Sequence, residues 1–202
     1  LRLPVALIAV LGVLLVAACS APTTDGTTVT DVATGPRTAV VDAEPEPITT
    51  DPAPALPATV RGVDGVETTI TDISRIVVAD RSGTLAQTVY ALGLGDKLVG
   101  RSTASFPAIQ DVPNVTPGGH GLNAEAILAL NPTVVLTDTS ISPLAVQEQI
   151  RATGVPVVFV DPERSLDTVA DDIEAVAAAL GVPEAGAALA QRTLDEIAAA
   201  KD

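Results

Sequence analysis

Residues 117–138 have the sequence PGGHGLNAEAILALNPTVVLTD, which contains a glycine-rich loop, a helix and a strand in that order. Asn123 can cap a helix whose apolar residues recur at helical spacing over 124–130, and Pro132 ends that helix. The apolar, β-branched run 133–137 predicts a buried strand. A helix followed directly by a buried strand is typical of an α/β fold.

Strands and helices alternate on both sides of this stretch. Apolar runs predict strands at 75–79, 97–100 and 156–160, and helical spacing predicts helices at 84–92, 143–153 and 166–180. Two short β-forming runs, 59–61 and 67–70, flank the turn-forming residues 62–65 and predict a hairpin at an edge. We therefore predict the α/β class, with a parallel sheet flanked by helices.

Ligands of parallel α/β sheets bind at the carboxyl ends of the strands. The predicted loops at those ends are 80–83, 101–107, 118–121, 138–142 and 161–165. His120, the chain's only histidine, lies between glycines in one of these loops, and we predict that it contacts ligand.

Other polar residues of the same loops are candidates for a binding site. Arg81 and Arg101 can pair with a ligand carboxylate through the guanidinium fork, although a solvated surface arginine is an equally good interpretation. The hydroxyl groups of Ser102, Thr139 and Ser140 can donate to a ligand, and turn or capping roles explain them as well.

The chain of 202 residues carries a formal net charge of −14 and a single cysteine. This charge argues against binding to nucleic acid and against adhesion to anionic lipid. A single cysteine excludes an internal disulfide and a cysteine-based metal site. The length sets a ceiling of one compact domain.

The N-terminal part differs from the rest in composition. Residues 1–18 are mostly apolar but too short to span a hydrocarbon core, which predicts a signal peptide. The following Cys19 ends the sequence VAAC, which resembles a bacterial lipobox and makes Cys19 the expected site of lipidation. Residues 19–58 are rich in Thr, Pro, Asp and Ala without an apolar period, which predicts a lipid-anchored disordered tether.

Several landmarks together resemble the substrate-binding lipoproteins of ABC importers for haem, ferric siderophores and corrinoids. They are SRIV (74–77), YALGLGDKLVGR (90–101), LNAE (122–125), LALNP (128–132) and ALGVPEAG (179–186). In that family two α/β lobes are joined by one long helix. The resemblance implies that 59–182 form the N-terminal lobe and that 183–202 begin the interlobe helix, with the second lobe outside this chain.

The segment PGGHGLN, 117–123, looks most like the haem-binding branch of actinobacteria, in which a histidine of this loop is an axial ligand of the iron. The resemblance implies that His120 binds haem iron. From their positions in the strand-end loops, we expect Arg101, Arg81, Ser102 and Thr139 around the ligand. It also implies a non-catalytic, extracytoplasmic protein that delivers haem to permease subunits for iron acquisition. The opposite axial ligand in that branch is a tyrosine of the second lobe, whereas Tyr90 is expected in the core.

Glu125 on the short helix matches a family carboxylate that docks against the permease. An acidic residue in a first helical turn is also favoured by the helix dipole, and the two interpretations are compatible.

Of three alternatives to haem binding, ferric-siderophore or corrinoid binding remains open. Ferric-siderophore or corrinoid binding uses the same fold, and the predicted loops offer siderophores mainly Arg81, Arg101, His120 and Phe106. An α/β enzyme domain lacks a phosphate-binding glycine motif after a strand, a G-x-S-x-G elbow and a second histidine. A zinc or manganese site would need more histidine and carboxylate ligands than one histidine provides.

Overall fold

The computed structural model describes residues 44–118 and 121–201, which belong to one compact α/β unit. The predicted signal peptide, Cys19 and most of the predicted tether lie outside these described residues. Among the described helices, none combines the length and hydropathy that crossing a bilayer requires.

The described residues contain six strands. They are β1 (Ala58–Arg61), β2 (Glu67–Ile70), β3 (Ile76–Ala79), β4 (Leu98–Gly100), β5 (Val134–Thr137) and β6 (Val157–Phe159). Strands β3 to β6 form one sheet in the order β4-β3-β5-β6, and every neighbouring pair is parallel. The predicted fold class is therefore confirmed.

Strands β1 and β2 form the predicted antiparallel hairpin as a separate two-stranded sheet. The backbone N–H of Val63 in its turn donates to the carbonyl of Phe159 at 2.9 Å. The hairpin therefore lies beside β6, which is an edge strand of the parallel sheet.

Helices cover both faces of the parallel sheet. The α-helices of the described residues are α1 (Thr84–Val89), α2 (Ala124–Ala129), α3 (Leu144–Ala152), α4 (Val169–Ala179) and α5 (Pro183–Ala199). As predicted, Asn123 caps α2, because its side-chain oxygen accepts from the Ala126 N–H at 3.0 Å. A wider turn over Tyr90–Leu94 extends α1 and kinks at Gly93, where φ is 82°.

The core has two layers because successive side chains of a strand point to opposite faces. Ile76 and Val78 of β3 pack in the layer that includes α1, α4 and α5. Val77 and Ala79 pack in the layer that includes α2 and α3. All four residues of β3 are fully buried, as expected for a parallel strand that is covered on both faces.

Residues 46–57, which we call the strap, differ from the predicted tether because they lie against the domain. The Ile48 N–H donates to the Ala91 carbonyl and the Ala55 N–H to the Gly181 carbonyl, each at 2.7 Å. Ile48 and Leu56 pack against the core. The segment contains four prolines, which have no backbone N–H, so few of its N–H groups need a partner. It can therefore pack in an extended conformation through two apolar side chains, without a periodic apolar pattern.

Two glycines allow the strap to approach the domain closely. Gly93 has a φ of +82°, and a Cβ atom there would lie 2.2 Å from the Thr49 carbonyl oxygen. Gly181 has a φ of +71°, and its Cβ would lie 2.7 Å from the Ala55 carbonyl oxygen. Both positions therefore need glycine for conformation and for space.

We expect Gly93→Ala to destabilise the domain more than Gly154→Ala. Both residues have a positive φ, so each alanine costs about 1–2 kcal/mol in backbone strain. Only at Gly93 does the added methyl group also meet the strap, which should cost a further ~1–3 kcal/mol. Urea unfolding of the two variants measures the difference, and equal losses would contradict the close approach of the strap.

Candidate functional site

The carboxyl ends of the four parallel strands meet at one edge of the sheet, which we call the rim. It consists of the segments that follow β3, β4, β5 and β6, namely residues 80–83, 101–116, 138–143 and 160–168. This is the edge at which open parallel sheets bind ligands.

Asp80 is a fully buried carboxylate at the end of β3. Its Oδ2 accepts hydrogen bonds from the Ser82 hydroxyl and from the Thr84 N–H, both at 2.8 Å, and thereby satisfies the start of α1. Burial raises the pKa of Asp80 and the nearby carboxylate of Asp138 raises it further, while the bonds from Ser82 and the backbone oppose the rise. Asp80 was not among the predicted site residues.

Asp138 is the corresponding buried carboxylate at the end of β5. It accepts hydrogen bonds from the N–H and the hydroxyl of Ser140, the former at 2.9 Å. Its Oδ2 also forms an ion pair with Arg164 at 3.2 Å. Arg164 in turn donates to the Asp161 carbonyl, so this ion pair joins the loops that follow β5 and β6.

Arg101 is engaged by the protein's own backbone. Its guanidinium donates to the carbonyls of Ile109 at 3.0 Å, Gln110 at 2.8 Å and Ser102 at 2.9 Å. These bonds hold the long loop after β4 in place. Pairing of Arg101 with a ligand carboxylate stays a prediction, and it would require exchange of these bonds.

Arg81 is exposed on the rim, and its backbone N–H donates to the Ser140 hydroxyl at 3.1 Å. Within residues 44–118 and 121–201, its guanidinium makes no hydrogen bond or ion pair. The other arginines of these ranges each bond through the guanidinium: Arg61, Arg75, Arg101, Arg151, Arg164 and Arg192. Among the described rim arginines, Arg81 is therefore the one whose guanidinium has no partner within these ranges.

The predicted hydroxyl residues differ in accessibility. Thr139 is exposed in the loop after β5, next to Ser140. Ser102 is buried, with its Oγ 3.5 Å from Asp80 Oδ1, and so lies beneath the rim surface. Of the predicted residues, the structure therefore brings Arg81, Ser140 and Thr139 together at the surface.

His120 and Gly119 lie outside the described residues, so the structure gives no position for the predicted iron ligand. The flanking chain is described: Gly121 bridges Ser142, and the Leu122 N–H donates to the Ser142 carbonyl at 3.2 Å. The histidine loop therefore ends beside the rim loop that follows β5.

The structure also describes the surroundings of Glu125, Tyr90 and Phe106. Glu125 is exposed in the first turn of α2. Tyr90 packs against the core, as predicted, with its ring edge-to-face on Phe106 at a centroid distance of 5.2 Å. Phe106 is thus partly used in packing rather than presented freely to a ligand.

Two grooves of the described residues lie apart from the predicted residues. One, of about 430 Å³, is lined by the hairpin, β6 and α4, and the other, of about 570 Å³, by the strap and the start of α5. Neither is lined by Arg81, Ser102 or Thr139. Within the described part of the chain, no group of three or more His, Cys, Asp or Glu side chains is arranged to hold a metal ion.

Comparison with known proteins gives a family and two kinds of relative. The sequence pattern of the family described as periplasmic binding protein matches residues 77–202. The Vitamin B12-binding protein of Yersinia pestis (strain Pestoides F) is 34% identical over 101 residues, which cover 50% of this chain and 36% of that protein.

Solved structures resemble the described fold. The heme binding protein HmuT is 45% identical, with a TM-score of 0.74 over 76% of this chain and 50% of its own. The periplasmic heme-binding protein RhuT from Roseiflexus sp. RS-1 is 37% identical, with a TM-score of 0.57 over 65% of this chain and 50% of its own. The chain thus spans half or less of the length of these relatives, which are binding proteins and not enzymes.

We expect the stability of the Asp80→Asn variant to rise relative to wild type as pH increases from about 4. The raised pKa of Asp80 means that the folded state binds this proton more tightly than the unfolded chain. The resulting stabilisation is present in acid and is lost as pH rises from the ordinary value of 3.8 through the raised pKa. Asparagine keeps the acceptor oxygen and does not titrate.

Urea unfolding of both proteins from pH 3.5 to pH 7 measures this difference. Asp80→Ala serves as the control, because it lacks the acceptor for the Thr84 N–H and should be less stable than Asp80→Asn at every pH. The expectation would be contradicted if the free energy of unfolding of Asp80→Asn, relative to that of wild type, stayed constant or fell as pH rises.

Proposed function

Because the chain belongs to the periplasmic binding protein family, we propose that it forms one ligand-binding lobe of an extracytoplasmic protein that captures haem and delivers it to an ABC permease. The observation that carries this proposal is the similarity to the heme binding protein HmuT, at 45% identity over 76% of this chain. Haem is the transported ligand here, and binding and release are the whole of the activity.

His120 is the proposed axial ligand of the haem iron. A neutral imidazole is a strong ligand for haem iron, and the glycines on both sides allow a flat macrocycle to approach the backbone. The described chain that follows His120 supports this role, since Gly121 and Leu122 lie beside the rim loop after β5.

Arg81 is the proposed partner of a haem propionate. Its guanidinium has no partner among the described residues. Its backbone N–H donates to Ser140, in the loop that also contains Thr139. Guanidinium and carboxylate form a charge-assisted, bidentate pair. Arg101 and the two buried carboxylates Asp80 and Asp138 act indirectly in this proposal, because they hold the loops that carry the contact residues.

Two further residues connect the lobe to the membrane in this proposal. Cys19 carries the lipid anchor, so the protein stays at the outer face of the cell membrane. Glu125 docks against permease subunits, for which its exposure in the first turn of α2 is suitable.

Corrinoid binding is the second candidate, and the 34% identity to a Vitamin B12-binding protein favours it. A corrin ring carries amide groups around its edge where haem carries two propionates. A rim arginine without a partner among the described residues therefore offers more to haem than to a corrinoid. Ferric siderophores remain a third possibility of the same fold.

We expect hemin to bind saturably with a shift of its Soret band, and His120→Ala to weaken binding and to change the position of the shifted band. Removal of the imidazole leaves the iron without its ligand from this lobe. The measurement is a hemin titration of the longest product of this gene from Ser20 onward, with Glu125→Gln as a control that should titrate like wild type. Absence of a saturable shift in wild type would reject haem as the ligand.

We expect Arg81→Gln to weaken hemin binding by about tenfold or more, the usual loss for one hydrogen bond to a charged group. Binding of dicyanocobinamide, which has no free carboxylate, should be unchanged or too weak to measure in both proteins. Equal hemin affinity of wild type and Arg81→Gln would remove Arg81 from the site. Cobinamide binding tighter than hemin binding would support the corrinoid candidate instead.

A further inference from the structure

Helix α5 is held to the domain mainly through its first half. Its buried residues are Gly186, Leu189 and Ala190. Gly186 allows a close approach to α4, because a Cβ atom there would lie 2.4 Å from the Cβ of Ala177. After Ala190, no residue of α5 is fully buried, so packing alone holds the second half weakly.

The second half of α5 is bonded to the strap. Arg192 Nη2 donates to the Glu46 carbonyl at 2.6 Å. Within the described ranges, this is the one hydrogen bond found between residues 191–199 and another element. The remaining side-chain bonds of this stretch, such as that from Gln191 to Asp195 and that from Thr193 to the Leu189 carbonyl, stay within the helix.

The strap is itself fixed to the domain close to that bond. Ile48, two residues after Glu46, donates its N–H to the Ala91 carbonyl and packs its side chain against the core. Farther along, the Ala55 N–H bonds to the Gly181 carbonyl, in the turn between α4 and α5. The strap therefore contacts the turn before α5, the extension of α1 and the second half of α5.

We propose that the strap is a conformational restraint that fixes the direction of α5 as it leaves the lobe. The bond from Arg192 to Glu46 supplies the restraint, and Ile48 transmits it to the core. Without the strap, α5 beyond residue 190 would pivot or fray about its packed first half. The restraint concerns the domain itself and does not depend on which ligand binds.

The test is amide hydrogen exchange of the chain from Ser20 onward, which keeps every residue that the structure describes. Arg192→Met keeps the aliphatic part of the side chain and removes the donor. Its matched control is Gln191→Met, on the exposed side of the same turn. We expect amides 193–199 to exchange roughly tenfold faster in Arg192→Met than in Gln191→Met, the effect of losing one charge-assisted hydrogen bond.

A second pair of variants tests the strap from its other side. Ile48→Ala removes the apolar contact that fixes the strap, and Thr50→Ala is its exposed control. Faster exchange at 193–199 in Ile48→Ala but not in Thr50→Ala, with unchanged protection of β3, supports the restraint. Equal exchange at 193–199 within each pair overturns it. Neither outcome depends on the hemin titration. The proposed restraint of α5 can therefore be rejected without rejecting haem binding, and the reverse also holds.

Discussion

Burial of the parallel sheet on both faces is the constraint on which the rest of this structure depends. The central strand β3 pairs with β4 on one side and with β5 on the other, and all of its side chains are buried. A strand in that position carries mainly apolar residues along its length. Polar chemistry is therefore confined to the ends of the strands, and the rim is where it appears.

The two buried carboxylates of the rim find their hydrogen-bond and ion-pair partners within the protein itself. Asp80 is bonded by Ser82 and the start of α1, and Asp138 by Ser140 and Arg164. A buried carboxylate without such partners would cost several kcal/mol. These bonds fix the backbone of three rim loops, and they leave Arg81 as the described rim arginine with no internal partner.

The sequence predicted the sheet and its helices because continuous apolar runs such as 75–79 and 133–137 have one simple interpretation. It could not distinguish Arg81 from Arg101, since the partners of Arg101 are carbonyls of Ile109 and Gln110, whose position depends on how the loop folds back. Asp80 was missed for a similar reason, because two of its neighbours, Ser102 and Asp138, are distant from it in sequence. The strap was predicted as tether because two apolar contacts in a proline-rich segment leave no periodic pattern.

The strap also shortens the predicted tether between a lipid at the proposed anchor, Cys19, and the lobe. A tether from Cys19 to residue 58 could span at most about 135 Å, whereas a tether from Cys19 to residue 45 could span at most about 90 Å. With a lipid at Cys19, as proposed, packing of the strap would remove about a third of the height to which the lobe could rise from the membrane. A shorter tether would confine an anchored lobe to a thinner layer above the bilayer, which would raise the effective concentration of the proposed permease.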